Sequence, residues 1–151
     1  MSVHLRPAAL ADLPSLVALD QAEFGGLAYP LFVFRKFWDI SAPLFWVAEI
    51  PGGALVGYVL GAVAPVDRSA WCLSLAVAQT HQGQGLGKKL MHTLLTACHS
   101  FLCPAMYLSV APDNAPAIAL YERLGFVTVG ENALYFGEGN ARLKMRLELG
   151  E

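Results

Sequence analysis

The chain has 151 residues, of which 56% are hydrophobic and 15% charged, and its mean hydropathy of +0.48 lies well outside the range of disordered chains. That length suits one core, so a single domain spanning 1–151 is expected. Ten Lys and Arg against twelve Asp and Glu leave a formal charge of −2, without the basic excess that nucleic-acid binding relies on, so no nucleic-acid partner is expected.

A short strand over 3–6 opens the chain. Leu13, Leu16, Val17 and Leu19 then recur at helical spacing until Gly25 and Gly26, which weaken a helix and end the first one there. Residues 29–40 carry Tyr29, Phe32, Phe34, Phe37 and Trp38 and read as a second, shorter helix. Residues 45–49, the turn Pro51-Gly52-Gly53 and residues 55–63 give a strand, a hairpin turn and a second strand. The apolar run over 54–66 is 13 residues with two glycines inside it, short of the roughly 20 that a membrane span needs, so no membrane association is expected. The first residues lack a basic segment followed by an apolar one, and a cytoplasmic location is expected. A strand over 71–78, a glycine-rich turn, a helix to about Leu102, a strand over 105–110 and a helix over 116–124 follow. Two strands, 126–136 and 142–149, close the order βααβββαβαββ. Strand, helix, strand from 71 to 110 requires a parallel crossover. Cys72, Cys98 and Cys103 have no C-x-x-C spacing and read as small buried hydrophobes.

The stretch from Leu73 to Leu90 is the most informative. A strand runs into Gly83, Gly85 and Gly87, and a helix opens at once, so unpaired helix N–H groups meet a backbone that a ligand can approach. Such a turn binds an anion, and Lys88 and Lys89 add charge beside it. The P-loop spacing fails because Lys88 stands where its second glycine belongs. The dinucleotide fingerprint fails because the three glycines are evenly spaced. On the polar face of the helix, His92 and His99 lack acidic or Cys companions, so no metal is expected.

What fits is Gln/Arg-x-x-Gly-x-Gly/Ala at Gln82, Gly85 and Gly87, followed by Asn114-Ala-Pro-Ala-Ile-Ala-Leu-Tyr121-Glu-Arg-Leu-Gly-Phe126 after an intervening strand. With these two segments in this order the chain resembles the GCN5-related N-acetyltransferase (GNAT) family from its first strand to its last. The resemblance implies an α/β fold with a mixed, mostly antiparallel sheet of six or seven strands, about four helices, and a splayed parallel pair formed by the fourth and fifth strands. It implies acetyl-CoA as co-substrate, its thioester in the splay and its pyrophosphate on the backbone of Gln82, Gly83, Gln84, Gly85, Leu86, Gly87 and Lys88. The segment Leu75-Ala76-Val77 would pair with the pantetheine arm as a pseudo-strand, with backbone N–H groups, foremost that of Val77, holding the carbonyl oxygen. Asn114 would bond the same arm, with an N-cap role as the alternative reading. Tyr121 would be the general acid for the departing thiolate, since a phenol of pKa about 10 stays protonated at neutral pH.

The closest resemblance is to the bacterial ribosomal-protein N-terminal acetyltransferase subgroup, in which a Glu on the fifth strand is the general base. Here that position is Ser109, which cannot serve at neutral pH, and Glu23 becomes the base candidate. The acceptor side, 24–38 and 132–140, is aromatic and poor in acid, with Asp20, Glu23, Asp39, Glu131 and Glu138 the carboxylates near it. A polyamine would want more of them, so a peptide-like or apolar primary amine fits better. The expected function is transfer of an acetyl group from acetyl-CoA to such an amine in a ternary complex. A non-catalytic acyl-CoA-binding module is the alternative, and a homodimer is compatible with the aromatic second helix.

Overall fold

A computed structural model of the chain describes residues 2–150; Met1 and Glu151, the ends of the expected domain, lie outside the described residues. The elements are β1 (His4–Pro7), α1 (Leu13–Phe24), α2 (Leu31–Ser41), β2 (Phe45–Glu49), β3 (Leu55–Val63), β4 (Ala70–Val77), α3 (Leu86–Cys98), β5 (Ala105–Val110), α4 (Ala115–Arg123), β6 (Val127–Asn132) and β7 (Arg142–Glu148), joined by short turns. They form one seven-stranded sheet in the order β1-β2-β3-β4-β5-β7-β6. Only β4 and β5 run parallel, and every other neighbouring pair is antiparallel. This is the expected mixed sheet with four α-helices.

The central strands are apolar on both faces because helices cover both. Val59, Cys72, Met106 and Met145 pack with Leu90, Met91 and Leu94 of α3 and Tyr121 of α4. On the other face Tyr58, Leu60 and Ala76 pack with Leu16 and Leu19 of α1 and Phe34 of α2. Gly61 lets α3 lie close to the sheet, since a Cβ there would stand 2.5 Å from Leu94 Cδ1. Among the described residues no helix is long and apolar enough to cross a membrane.

Two boundaries depart from the sequence reading. The strand expected to run to Phe136 ends at Asn132, whose side chain accepts the Leu134 N–H at 2.9 Å and turns the chain, and Gly137 and Gly139 at positive φ build further turns. Helix α3 ends at Cys98, and a tight turn over His99–Phe101 with Leu102 at φ 54° carries the chain to β5.

Candidate active site

Strands β4 and β5 pair at only two positions, Ala70 with Met106 and Trp71 with Tyr107, and then diverge. The divergence begins where β4 carries a bulge: Leu60 of β3 faces Ser74 and Gly61 faces Cys72, which leaves Leu73 as the extra residue. Beyond it the Ala78 N–H bonds Val56 O of β3 at 2.8 Å. Antiparallel alternation therefore turns the peptide groups of Ser74 and Ala76 to β3, and those of Leu75 and Val77 away from it into the splay. Leu75 thus presents an open sheet edge, and Val77 its N–H, the Val77 carbonyl being taken by the Gln82 side chain. Ala76 between them has its methyl in the core, 4% exposed.

The splay runs into the glycine turn. Gly83 and Gly85 adopt φ of 80° and 79°, the left-handed region glycine enters freely, and nothing of the protein lies within 4 Å of where their Cβ atoms would be. Residues 82–85 are exposed, as are Lys88 and Lys89. The first helical bond made is Lys89 N–H to Gly85 O at 3.1 Å, and among the described residues no backbone acceptor takes the N–H groups of residues 83–88. Gly87 has a different reason to be glycine: its Cβ would meet Leu120 Cδ2 of α4 at 3.2 Å.

A cavity of about 300 Å³ fills the wedge between the strands. Its lining includes Leu75 and Leu108, Asn114 at the cap of α4 with Ala117 and Tyr121 of that helix, and Asp20, Glu23, Leu27, Tyr29, Phe136 and Arg142. Tyr121 is 8% exposed and rests edge-on against Phe126 with centroids 5.8 Å apart. Burial raises its phenol above the ordinary value, the Cys72 thiol adds to this, and Arg142 opposes it. The phenol is protonated throughout the neutral range. Asn114 caps α4 by accepting the Ala117 N–H at 3.3 Å, and its side chain also reaches the cavity. Glu23 is tied to the turn: the Gln82 side-chain amide donates to Glu23 Oε1 at 3.0 Å and to Val77 O at 2.9 Å.

Sequence reasoning noted Asp20 only as a nearby carboxylate, yet it is the most enclosed acid of the site at 1% exposed. Its Oδ1 accepts the Tyr58 hydroxyl at 2.5 Å and its Oδ2 the Tyr29 N–H at 2.7 Å. The Tyr58 oxygen lies 2.6 Å from Ser74 Oγ, and since its one proton goes to Asp20, the serine hydroxyl is the donor there. Burial pushes the Asp20 carboxyl above its usual range, against the two hydrogen bonds that pull it down. Its partners come from the turn before α2, from β3 and, through Tyr58, from β4, so spacing along the chain gives no sign of them. Ser109 stands on the cavity wall and is gripped by Arg142, whose Nε donates to Ser109 Oγ at 3.2 Å and Nη2 to Ser109 O at 3.0 Å. Among the described residues no three His, Cys, Asp or Glu side chains cluster to hold a metal ion, and His92 and His99 are exposed on α3 and its following turn.

The geometry agrees with what comparison with known proteins finds. The sequence profile described as the Acetyltransferase (GNAT) family matches residues 13–126. The chain is 32% identical over 132 residues to the N-alpha-acetyltransferase RimI of Mycobacterium tuberculosis, covering 83% of this chain and 79% of that protein. Among solved structures, Ard1 from Thermoplasma volcanium superposes with a TM-score of 0.91 at 22% identity over 100% of both chains. The NatC complex bound to Gag peptide and CoA superposes with a TM-score of 0.90 at 22% identity, over 98% of this chain and 99% of that one. A glycine turn with unpaired N–H groups and a splayed β4–β5 pair on this sheet accompany the profile match: the chain belongs to the GNAT family and is an acetyl-CoA-dependent N-acetyltransferase.

Proposed function

We propose that the acceptor is the α-amine of a peptide or protein, which attacks the acetyl-CoA thioester directly in a ternary complex. The observation that carries this reading is the cavity in the β4–β5 splay, which is lined by the strand edge at Leu75, by Tyr121, and by Asp20, Tyr29 and Phe136. The mycobacterial relative is named for Nα-acetylation, and the NatC structure holds a peptide, which support the same acceptor class.

In this reading the N–H groups of residues 82–88 hold the pyrophosphate, and the edge groups of Leu75 and Val77 pair with the pantetheine arm. Leu75 lines the cavity and Val77 does not, which favours the Leu75 N–H over that of Val77 as the donor to the carbonyl oxygen. Asn114 contributes to the arm from its cap position, and Glu23 positions Gln82 rather than acting as the base. As the carbon–nitrogen bond forms, Asp20 takes the amine proton, directly or through water, and becomes neutral, with Tyr58 and Ser74 holding it in place. As the carbon–sulfur bond breaks, Tyr121 protonates the thiolate, and the Asp20 proton returns to Tyr121 by way of solvent. A base whose pKa burial raises toward the α-amine's, about 7.7–8.0, suits that transfer. The 151 residues act as one catalytic domain, a reading supported by the single sheet. A cytoplasmic setting is supported by three unpaired, buried thiols.

The test is thiol release from acetyl-CoA with a lysine-containing peptide, the same peptide with its α-amine blocked, and a polyamine. Release with the free peptide alone is expected. Release with the blocked peptide or the polyamine would overturn the α-amine assignment, and CoA binding without release on any acceptor would favour a binding module.

A further inference from the structure

The cavity holds a cation, Arg142, that forms no ion pair among the described residues. Arg142 opens β7, is not exposed, and lines both the central cavity and a second one adjoining it beside Pro112 and Gly139. Its guanidinium is held on two sides by Ser109 and lies 5.1 Å from the centre of the Phe136 ring. It is therefore rigid, and among the described residues none of the ion pairs involves it. Burial lowers its pKa, yet an arginine stays charged across the physiological range. Keeping a half-buried guanidinium without a carboxylate costs stability, and a bound anion would offset that cost.

The surroundings extend the same charge. Leu143, Met145 and Leu147 of β7 face the core, so Arg142, Lys144 and Arg146 share the opposite face and run away from the cavity mouth. Lys144 Nζ sits 4.6 Å from the centre of the Tyr107 ring, and Arg146 Nε donates to the Tyr107 hydroxyl at 3.2 Å. Among the described residues only Arg146 of the three forms an ion pair, with Glu148 at 2.6 Å, while the Asp67 carboxylate lies within charge range of Lys144. A net charge of −2 makes three aligned cations at the acceptor entrance a local feature.

We infer that Arg142 selects acceptors bearing a carboxylate beside the amine, foremost peptides with Asp or Glu among their first residues. This rests on the α-amine reading above and names its substrate class. The amine enters beside Asp20, the carboxylate meets the guanidinium as a charge-assisted pair, and further acidic residues follow Lys144 and Arg146 along β7. Of the peptide-like or apolar amine expected from the aromatic composition, it takes the peptide: the aromatic residues frame the site, and the charge within it chooses. It also accounts for Ser109, whose hydroxyl and carbonyl fix the arginine where a glutamate would cancel it.

The test is kcat/KM on peptides of identical sequence that begin with Asp or Asn, Glu or Gln, and Lys. The protein should prefer each acid over its amide by about 10- to 100-fold, as expected for a hydrogen bond between charged partners. Arg142→Gln should bring the ratio to about one, and Arg142→Glu should move it toward the Lys peptide. Raising salt on the unaltered protein should raise KM for the acidic peptides more than for the amides, a readout that needs no variant. Equal rates on acid and amide, or a preference that survives Arg142→Gln in a folded variant, would overturn the inference while leaving the α-amine reading intact. No release from any peptide would refute that reading and the inference with it.

Discussion

Gly85→Asp separates a ligand-binding turn from a structural one. Gly85 sits at φ 79°, ψ 10°, and aspartate is one of the few residues that visits this region, at a cost of roughly 1 kcal/mol. No protein atom lies within 4 Å of the new Cβ, so there is no clash to add. In a chain of 151 residues that cost lowers the melting temperature by about 2–4 °C. With CoA bound, the new carboxylate stands against the pyrophosphate. One pair of unit charges about 5 Å apart at an effective dielectric of about 20 repels by about 3 kcal/mol, which weakens binding roughly 100- to 300-fold. Calorimetric titration with CoA reads the second number and a thermal melt without ligand reads the first. A variant that melts as expected but binds CoA within about threefold of the parent would show that the turn does not hold the pyrophosphate, and the site would have to be redrawn.

Tyr121→Phe keeps the ring on Phe126 and removes the proton donor, so kcat should fall about 100-fold with CoA affinity within about twofold, measured by steady-state thiol release and calorimetry. Unchanged kcat at pH 7 removes Tyr121 from the proton path. Asp20 works only when ionised, so the parent's kcat/KM should rise with pH through the raised Asp20 pKa, and Asp20→Asn should lose that limb along with most of its rate. Because the folded-state pKa lies above the unfolded one, the stability Asp20 contributes is present at acid pH and lost as pH rises through the folded value. Urea melts across that range should therefore show the parent weakening relative to Asp20→Asn. The thiols of Cys72 and Cys98 are each pushed up to about 12 by burial, so neither should react with a thiol reagent in the folded protein at pH 8, and full labelling upon denaturation is the control. Rapid labelling of the native protein would contradict that burial.

Much of the architecture was legible because it is local. Apolar runs bounded by turn residues placed β2 to β5, and Pro51-Gly52-Gly53 and Gly25-Gly26 placed their turns within a residue or two. The glycine turn was legible because positive φ leaves glycine as its mark, although Gly87 shows that identical letters carry different reasons: Gly83 and Gly85 serve the backbone, and Gly87 makes room for Leu120. The missed features are those formed by residues distant in the chain. Asp20 meets Tyr58, 38 positions on, and Ser109 meets Arg142, 33 positions on. The overextended β6 has another cause. The apolar run Ala133–Phe136 beyond its end invites extension, and the stop comes from the Asn132 side chain capturing a backbone N–H.

The most direct measurement is to incubate the protein with acetyl-CoA and a peptide that begins with Asp and carries an internal lysine, and to map the acetyl group by tandem mass spectrometry. The account predicts one acetyl group on the α-nitrogen for each CoA thiol released, and none on lysine. Acetyl on the lysine side chain, or thiol release with an unmodified peptide, would contradict it.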